Sequence, residues 1–293
     1  MPIAPRSWLF IPGDSPRKLA KARDSWADAV IIDLEDAVAP DRKAEARATT
    51  AEWLRGETPN RQQVWVRINA FDTPHWREDC AAIVAAAGSV LHGIMLPKAE
   101  GPAAVTLLGD MLGELEAEHG LPQGGLRILP LVSETPHSAA TISSYCHTAP
   151  PRLAGLTWGA EDLGAAIGAR RKRDPDGRWT DTFRMVRAQT LLVAHALGVG
   201  AIDTLHADFR DEAGLARMAS EAAADGFSGM LAIHPAQVAP INAAFAPDEA
   251  SLAEARAIVA AFAANPDAGT LQIDGRMIDR PHLRAAQALL GIA

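Results

Sequence analysis

Short apolar stretches alternate with longer amphipathic ones along most of the chain. Runs at residues 8–11, 29–34, 64–68, 93–96, 126–132, 153–158, 200–202 and 229–233 are short and apolar on both faces. That is the pattern of strands in a parallel sheet covered by helices. Helical periodicity fills the intervals at 15–25, 42–54, 75–87, 102–119, 137–146, 183–197 and 211–225. The first of these opens on Ser15-Pro16, an N-cap followed by a proline in the first turn. About eight strand–helix units in succession predict a (β/α)8 TIM barrel, with an open doubly wound sheet as the alternative.

Beyond residue 233 the pattern changes. Alanine-rich helices are expected at 237–245 and 252–264, Leu271-Gln272-Ile273-Asp274-Gly275 breaks the helical run, and 281–290 forms a last helix. This is more chain than an eighth helix needs. The expectation is a barrel catalytic domain over residues 1–245 and a C-terminal helical extension over 246–293, acting as a lid, an inter-subunit arm or extra packing.

Composition narrows the function classes. With 48% hydrophobic residues the chain has ample material for a core. A net charge of −8 argues against nucleic-acid binding, which needs dense Lys and Arg to displace counterions. No apolar run reaches the roughly 18–20 residues of a membrane span, and the first eight residues lack a signal-peptide core. Two cysteines, Cys80 and Cys146, support neither a disulfide framework nor a zinc site. A cytoplasmic enzyme is expected.

In a barrel the residues just after each strand converge on one face. Here those positions are rich in ionisable groups: Asp33-Leu34-Glu35-Asp36, Arg67-Ile68-Asn69, Pro97-Lys98-Ala99-Glu100, Ser133-Glu134-Thr135, Gly159-Ala160-Glu161-Asp162 and His234-Pro235. Glu134 and Asp162 are the metal candidates, because two carboxylates with water and a chelating substrate suit octahedral Mg²⁺. The competing reading is helix capping or charge at a helix N-terminus. Arg67 ends an apolar strand and needs a carboxylate partner, for which Asp33, Glu35 and Asp36 are at hand. It either grips a substrate carboxylate or enolate, or forms a buried ion pair. The Asp33–Asp36 cluster is expected to support Arg67 and the metal waters. Lys98 either binds an anion or pairs with Glu100. His234 is a packed histidine or a catalyst, and Arg170-Arg171-Lys172-Arg173 a phosphate contact or a solvated loop. Gly13-Asp14-Ser15-Pro16 is an anion site or an ordinary tight turn. A P-loop, a dinucleotide-binding fingerprint and a serine-hydrolase elbow are all missing.

Taken in order, Arg6-Ser7-Trp8-Leu9-Phe10-Ile11-Pro12-Gly13, Asp33-Leu34-Glu35-Asp36-Ala37-Val38, Val66-Arg67-Ile68-Asn69, Leu96-Pro97-Lys98-Ala99-Glu100, Glu134-Thr135-Pro136, Gly159-Ala160-Glu161-Asp162-Leu163, Ile233-His234-Pro235 and Gly275-Arg276-Met277-Ile278-Asp279-Arg280-Pro281 resemble the citrate lyase β-subunit-like family of the HpcH/HpaI aldolase superfamily, which includes malyl-CoA and citramalyl-CoA lyases. The resemblance spans nearly the whole chain. It implies a (β/α)8 barrel, Mg²⁺ on Glu134 and Asp162, a substrate-contacting arginine at Arg67, a CoA thioester and small keto acid as substrates, and a homo-oligomer, with a trimer favoured. It also implies that Asp279 reaches a neighbour's active site. Relatives commonly carry Gly-Lys where this chain has Gly229-Met230, so any contact of that lysine is missing here.

The expected activity is Mg²⁺-dependent cleavage of a malyl-, citramalyl- or citryl-type CoA thioester to an acyl-CoA and an α-keto acid, or the reverse condensation. In that chemistry Glu134 also contacts substrate, and Asp279 moves the proton at the carbon α to the thioester. A thioesterase using the same site is the alternative.

Overall fold

In the computed structural model, which describes residues 4–56 and 61–292, every one of the eight apolar stretches becomes a strand. They are β1 (Ser7–Pro12), β2 (Ala29–Asp33), β3 (Gln63–Arg67), β4 (Leu91–Leu96), β5 (Arg127–Pro130), β6 (Gly155–Thr157), β7 (Gly200–Asp203) and β8 (Gly229–Ala232). The start of the N-terminal stretch, residues 1–3, lies outside the described residues. Seven parallel pairings give the order β5-β4-β3-β2-β1-β8-β7-β6. The remaining seam between β5 and β6 carries only two parallel bridges, Ile128 with Leu153 and Leu131 with Thr157. The sheet therefore curls into a nearly closed barrel, whereas a doubly wound sheet would keep two free edges.

Strand alternation decides what faces inward. Trp8, Ile31, Trp65, Met95, Leu129 and Ile202 form the interior cluster, with the Trp8 and Trp65 rings 5.3 Å apart. Gly93 makes room for one of them: a Cβ there would lie 2.4 Å from Trp65 Cζ3. Two residues beyond Ile31 and Trp65, on the same inner face and at the C-terminal strand ends, come Asp33 and Arg67. The opposite end of the barrel carries a structural pair. Glu116, fully buried, accepts hydrogen bonds from the Gly124 and Leu126 amides and from both terminal nitrogens of Arg152. Arg152 also presents its carbonyl to the Ile128 amide, so the pair braces the sparse β5–β6 seam.

The stretch 137–146 differs from the single helix its periodicity predicts. It breaks into Pro136–Ala140, a 3₁₀ turn at Ile142–Ser144, and Tyr145–Thr148. At the break the Thr141 hydroxyl donates to the His137 carbonyl, the side-chain competition that weakens helices at Ser and Thr. A seven-residue helix, Ala160–Ala166, also forms where too few residues exist for a periodic signal.

The described chain divides into two compact units, Ala4–Ala243 and the segment from Ala244 onward. The second holds helix Glu249–Ala264, the antiparallel hairpin β9 (Thr270–Ile273) and β10 (Arg276–Asp279), and helix Arg280–Leu290 around Ile258, Phe262, Ile278 and Ala286. Asp274 and Gly275, both at positive φ, make the two-residue turn. The predicted break in the helical run is thus a hairpin, and the extension is not purely helical.

Candidate active site

At the C-terminal strand ends of the barrel, Asp33 and Arg67 meet directly. The Arg67 guanidinium donates from Nε (2.7 Å) and Nη2 (2.6 Å) to the two Asp33 oxygens, and Nη1 lies 2.9 Å from a Glu35 oxygen. It also lies over the Phe10 ring, 4.9 Å from its centroid. Burial acts to raise Asp33, yet the Arg67 charge and hydrogen bonds, with those of the Glu35 and Ala37 amides, hold it below the usual aspartate range. Of the three carboxylates available to Arg67, the structure pairs it with Asp33 and Glu35. Asp36 instead stands 3.6 Å from the Lys98 ammonium.

Lys98 does not pair with Glu100. Its ammonium bonds Glu35, and its backbone amide donates to Glu134 Oε2 at 2.5 Å. Glu100 accepts instead from the Thr135 hydroxyl. Burial works to lower the Lys98 ammonium, but Glu35 and the neighbouring carboxylates hold it above its ordinary value.

Glu134 is buried, and capping does not occupy it: Thr135 caps the helix Pro136–Ala140 through a reciprocal pair of bonds with Ser138. Gly159 sits against the carboxyl, where a Cβ would come within 3.2 Å of Glu134 Cγ. Burial first, then the charges of Glu35 and Asp162, push Glu134 up to about 8. Asp162 lies in the first turn of Ala160–Ala166, a helix whose N-cap Gly159 supplies no side-chain bond. A water-poor pocket that gathers carboxylates faster than cations suits a divalent ion. Among the described residues no cluster of three or more His, Cys, Asp or Glu forms a complete metal cage. An ion held by Glu134 and Asp162 would take its remaining oxygen donors from water or substrate.

A cavity of about 450 Å³ opens beside these groups, lined by Phe10, Asp33, Arg67 and Asp162 on the inner side and by Lys18 and Lys21 from helix Pro16–Ala22. The sequence reading did not single out the two lysines, though their i, i+3 spacing behind the Pro12-Gly13 turn is a usable signal. His234 also lines the cavity. Its exposed ring stacks on Phe209 at 4.7 Å, and its Nδ1 accepts from the Ala236 amide. The basic run is only partly solvated: Lys172 pairs with Glu161, and Arg173 lies on the Trp179 ring.

Asp203, at the end of β7, was also missed. It is fully buried and accepts from Trp158 Nε1 (2.7 Å) and Arg187 Nε (2.9 Å), anchoring the strand end that leads into Gly159–Asp162. Met230 is fully buried in β8. Asp279 belongs to the C-terminal unit, where it ends β10 and caps Arg280–Leu290, accepting from the His282 amide and bonded to His282 Nδ1 at 2.5 Å.

Comparison with known proteins follows the same lines. The profile of the family HpcH/HpaI aldolase/citrate lyase matches residues 6–235. A citrate lyase subunit beta-like protein of Mycobacterium tuberculosis is 36% identical over 97% of this chain and 93% of its own length. An L-malyl-CoA/beta-methylmalyl-CoA lyase of Cereibacter sphaeroides is 33% identical over the same shares. The crystal structure of the M. tuberculosis protein CitE, in complex with magnesium, acetoacetate and coenzyme A, superposes with a TM-score of 0.80 at 36% identity, over 98% of both chains.

Proposed function

The chain belongs to the HpcH/HpaI aldolase/citrate lyase family, and from that premise we propose that it is a Mg²⁺-dependent carbon–carbon lyase acting on a 3-hydroxyacyl-CoA of the malyl, citramalyl or citryl type. The products are an acyl-CoA and an α-keto acid, and the reverse reaction is a Claisen-type condensation. The observation that carries this reading is that Arg67 and Asp162 line one cavity at the C-terminal strand ends, with Glu134 buried within electrostatic reach of both.

Glu134 and Asp162 would hold the ion, which when bound would supply Lewis acidity toward the keto-acid oxygens. Arg67, fixed from behind by Asp33 and Glu35, faces the cavity and offsets negative charge on the thioester enolate oxygen. Asp279 of a neighbouring copy moves the proton at the carbon α to the thioester, which makes the active form a homo-oligomer, a trimer in this reading. The extension from Ala244 onward is then a lid or inter-subunit arm. A cytoplasmic setting accords with the two free thiols, Cys80 and Cys146. Among the described residues no helix is long and apolar enough to cross a membrane.

The test is a panel of acyl-CoAs and keto acids incubated with Mg²⁺, followed by mass spectrometry of the CoA species. Formation or cleavage of a 3-hydroxyacyl-CoA supports the lyase. Free CoA with intact hydroxy acid makes the protein a thioesterase, and no turnover across the panel overturns both.

A further inference from the structure

Lys98 is one of three non-glycine residues with positive φ among the described residues, at +48°. A lysine in the left-handed region is held there against a cost of Cβ crowding, and such positions persist only where neighbours over-determine them. Two bonds do so here. The backbone amide points at Glu134 Oε2, 2.5 Å away, and the ammonium reaches back to Glu35, which also lies against Arg67. The next amide, Ala99, is tied to the Leu131 carbonyl, and Glu100 to the Thr135 hydroxyl, so the turn is stitched to the segment that carries Glu134. With β4 fixed through Leu96, whose carbonyl accepts from the Leu131 amide, a right-handed Lys98 would swing Ala99 and Glu100 away from Leu131 and Thr135, and the segment that seats Glu134 against the Lys98 amide would lose these ties.

We propose that Lys98 is a positioning residue for Glu134: its ammonium, anchored on Glu35, holds the left-handed turn that ties Ala99 and Glu100 to the segment carrying Glu134 and so keeps the Glu134 carboxyl on the Lys98 amide. The role is played by the main chain, and the side chain serves as its tether. This rests on Glu134 being a metal ligand. It separates two variants that an ordinary charge role would not. Lys98→Ala removes the tether but keeps the Cβ, so the turn relaxes, the ties of Ala99 and Glu100 loosen and Glu134 is no longer held on the residue-98 amide. Lys98→Gly also removes the tether, but glycine adopts positive φ without cost and keeps the amide in place.

The experiment measures Mn²⁺ dissociation constants by electron paramagnetic resonance on the full chain, without substrate. Wild type, Lys98→Ala, Lys98→Gly and Glu134→Gln are compared after circular dichroism has shown each to be folded. Outer-shell partners of metal ligands typically contribute about 10–100-fold in affinity, so Lys98→Ala should weaken binding by at least about tenfold, with Lys98→Gly within about threefold of wild type. Equal losses in the two variants overturn the proposal, because the ammonium alone would then be responsible. Affinity in Lys98→Ala within about twofold of wild type overturns it as well. Glu134→Gln is the separate control: unchanged Mn²⁺ binding there removes Glu134 from the metal site, a failure distinct from any ordering of the Lys98 variants. Should Lys98→Gly fail to fold, Lys98→Asn, which tolerates positive φ, takes its place and should bind Mn²⁺ more tightly than Lys98→Ala; should Lys98→Ala fail to fold, Lys98→Met takes its place with the same expected loss.

Discussion

Asp33 and Arg67 stand opposite one another in register on β2 and β3, and the guanidinium spans both oxygens of the carboxylate. Asp33 thereby holds its partner with two parallel bonds and leaves the rest of the guanidinium to Glu35 and the cavity. Asp33 titrates below its ordinary value in the fold, so its contribution is fully present above the unfolded value and is lost as pH falls through the folded one. Asp33→Asn should lower stability at neutral pH by about 3–5 kcal/mol, as breaking one side of a buried pair does. The gap should shrink as pH drops below the ordinary aspartate range. Urea unfolding of both proteins at neutral and acid pH checks the sign.

Arg67→Lys keeps the charge but has no planar fork to span Asp33 while facing the cavity. We expect turnover to fall by more than about tenfold. Activity within about threefold of wild type, under ~1 kcal/mol in barrier, would make Arg67 a structural ion pair only.

Glu134 stays protonated in the metal-free fold up to about 8, while the unfolded chain releases that proton in the ordinary carboxylate range. The group's contribution to stability is therefore present at acid pH and declines as pH rises toward 8. Glu134→Gln should remove that decline in chelator and abolish Mg²⁺-dependent activity. Melting temperatures against pH, with and without Mg²⁺, read both effects; superimposable profiles for the two proteins would count against this account of Glu134.

Asp279 has two roles to separate, the cap of helix Arg280–Leu290 and proton transfer in a neighbour. Asp279→Asn keeps a capping acceptor, so stability should change by less than about 1 kcal/mol. If Asp279 moves the proton, activity is lost all the same. Mixing inactive Asp279→Ala and Glu134→Ala proteins should restore part of the activity, since some sites then combine both intact groups. Demonstrated subunit exchange without recovery argues against a shared site.

The barrel's far end should behave differently. Glu116→Gln removes charge from a buried pair that braces the β5–β6 seam, and should cost several kcal/mol of stability, about 3–5, with little effect on activity per folded molecule. Equal losses of activity and stability would show the seam to be felt at the site.

Much of this was legible in the residues themselves. Strand patterning is local, so the apolar runs could be placed without coordinates, with Asp33 and Arg67 at strand ends and Glu134 and Asp162 a few residues beyond them. Capping signals are local too, as at Ser15-Pro16. What periodicity missed were short elements, Ala160–Ala166 and the hairpin at Asp274-Gly275, where too few residues repeat.

Which groups touch was another matter, because contact partners come from strand order and register, which no local signal encodes. Lys98 lies two residues from Glu100 in the chain, yet its ammonium meets Glu35 across the barrel mouth. Asp203 reads as one acidic residue after a short strand, but β7 pairs with β6, whose end supplies Trp158, and the helix Asp181–Leu197 supplies Arg187. The residues alone determined an eight-unit barrel with acidic and basic strand ends and its family. The tertiary structure decided which charge answers which, since ion pairing depends on distances of a few ångströms set by the closed sheet.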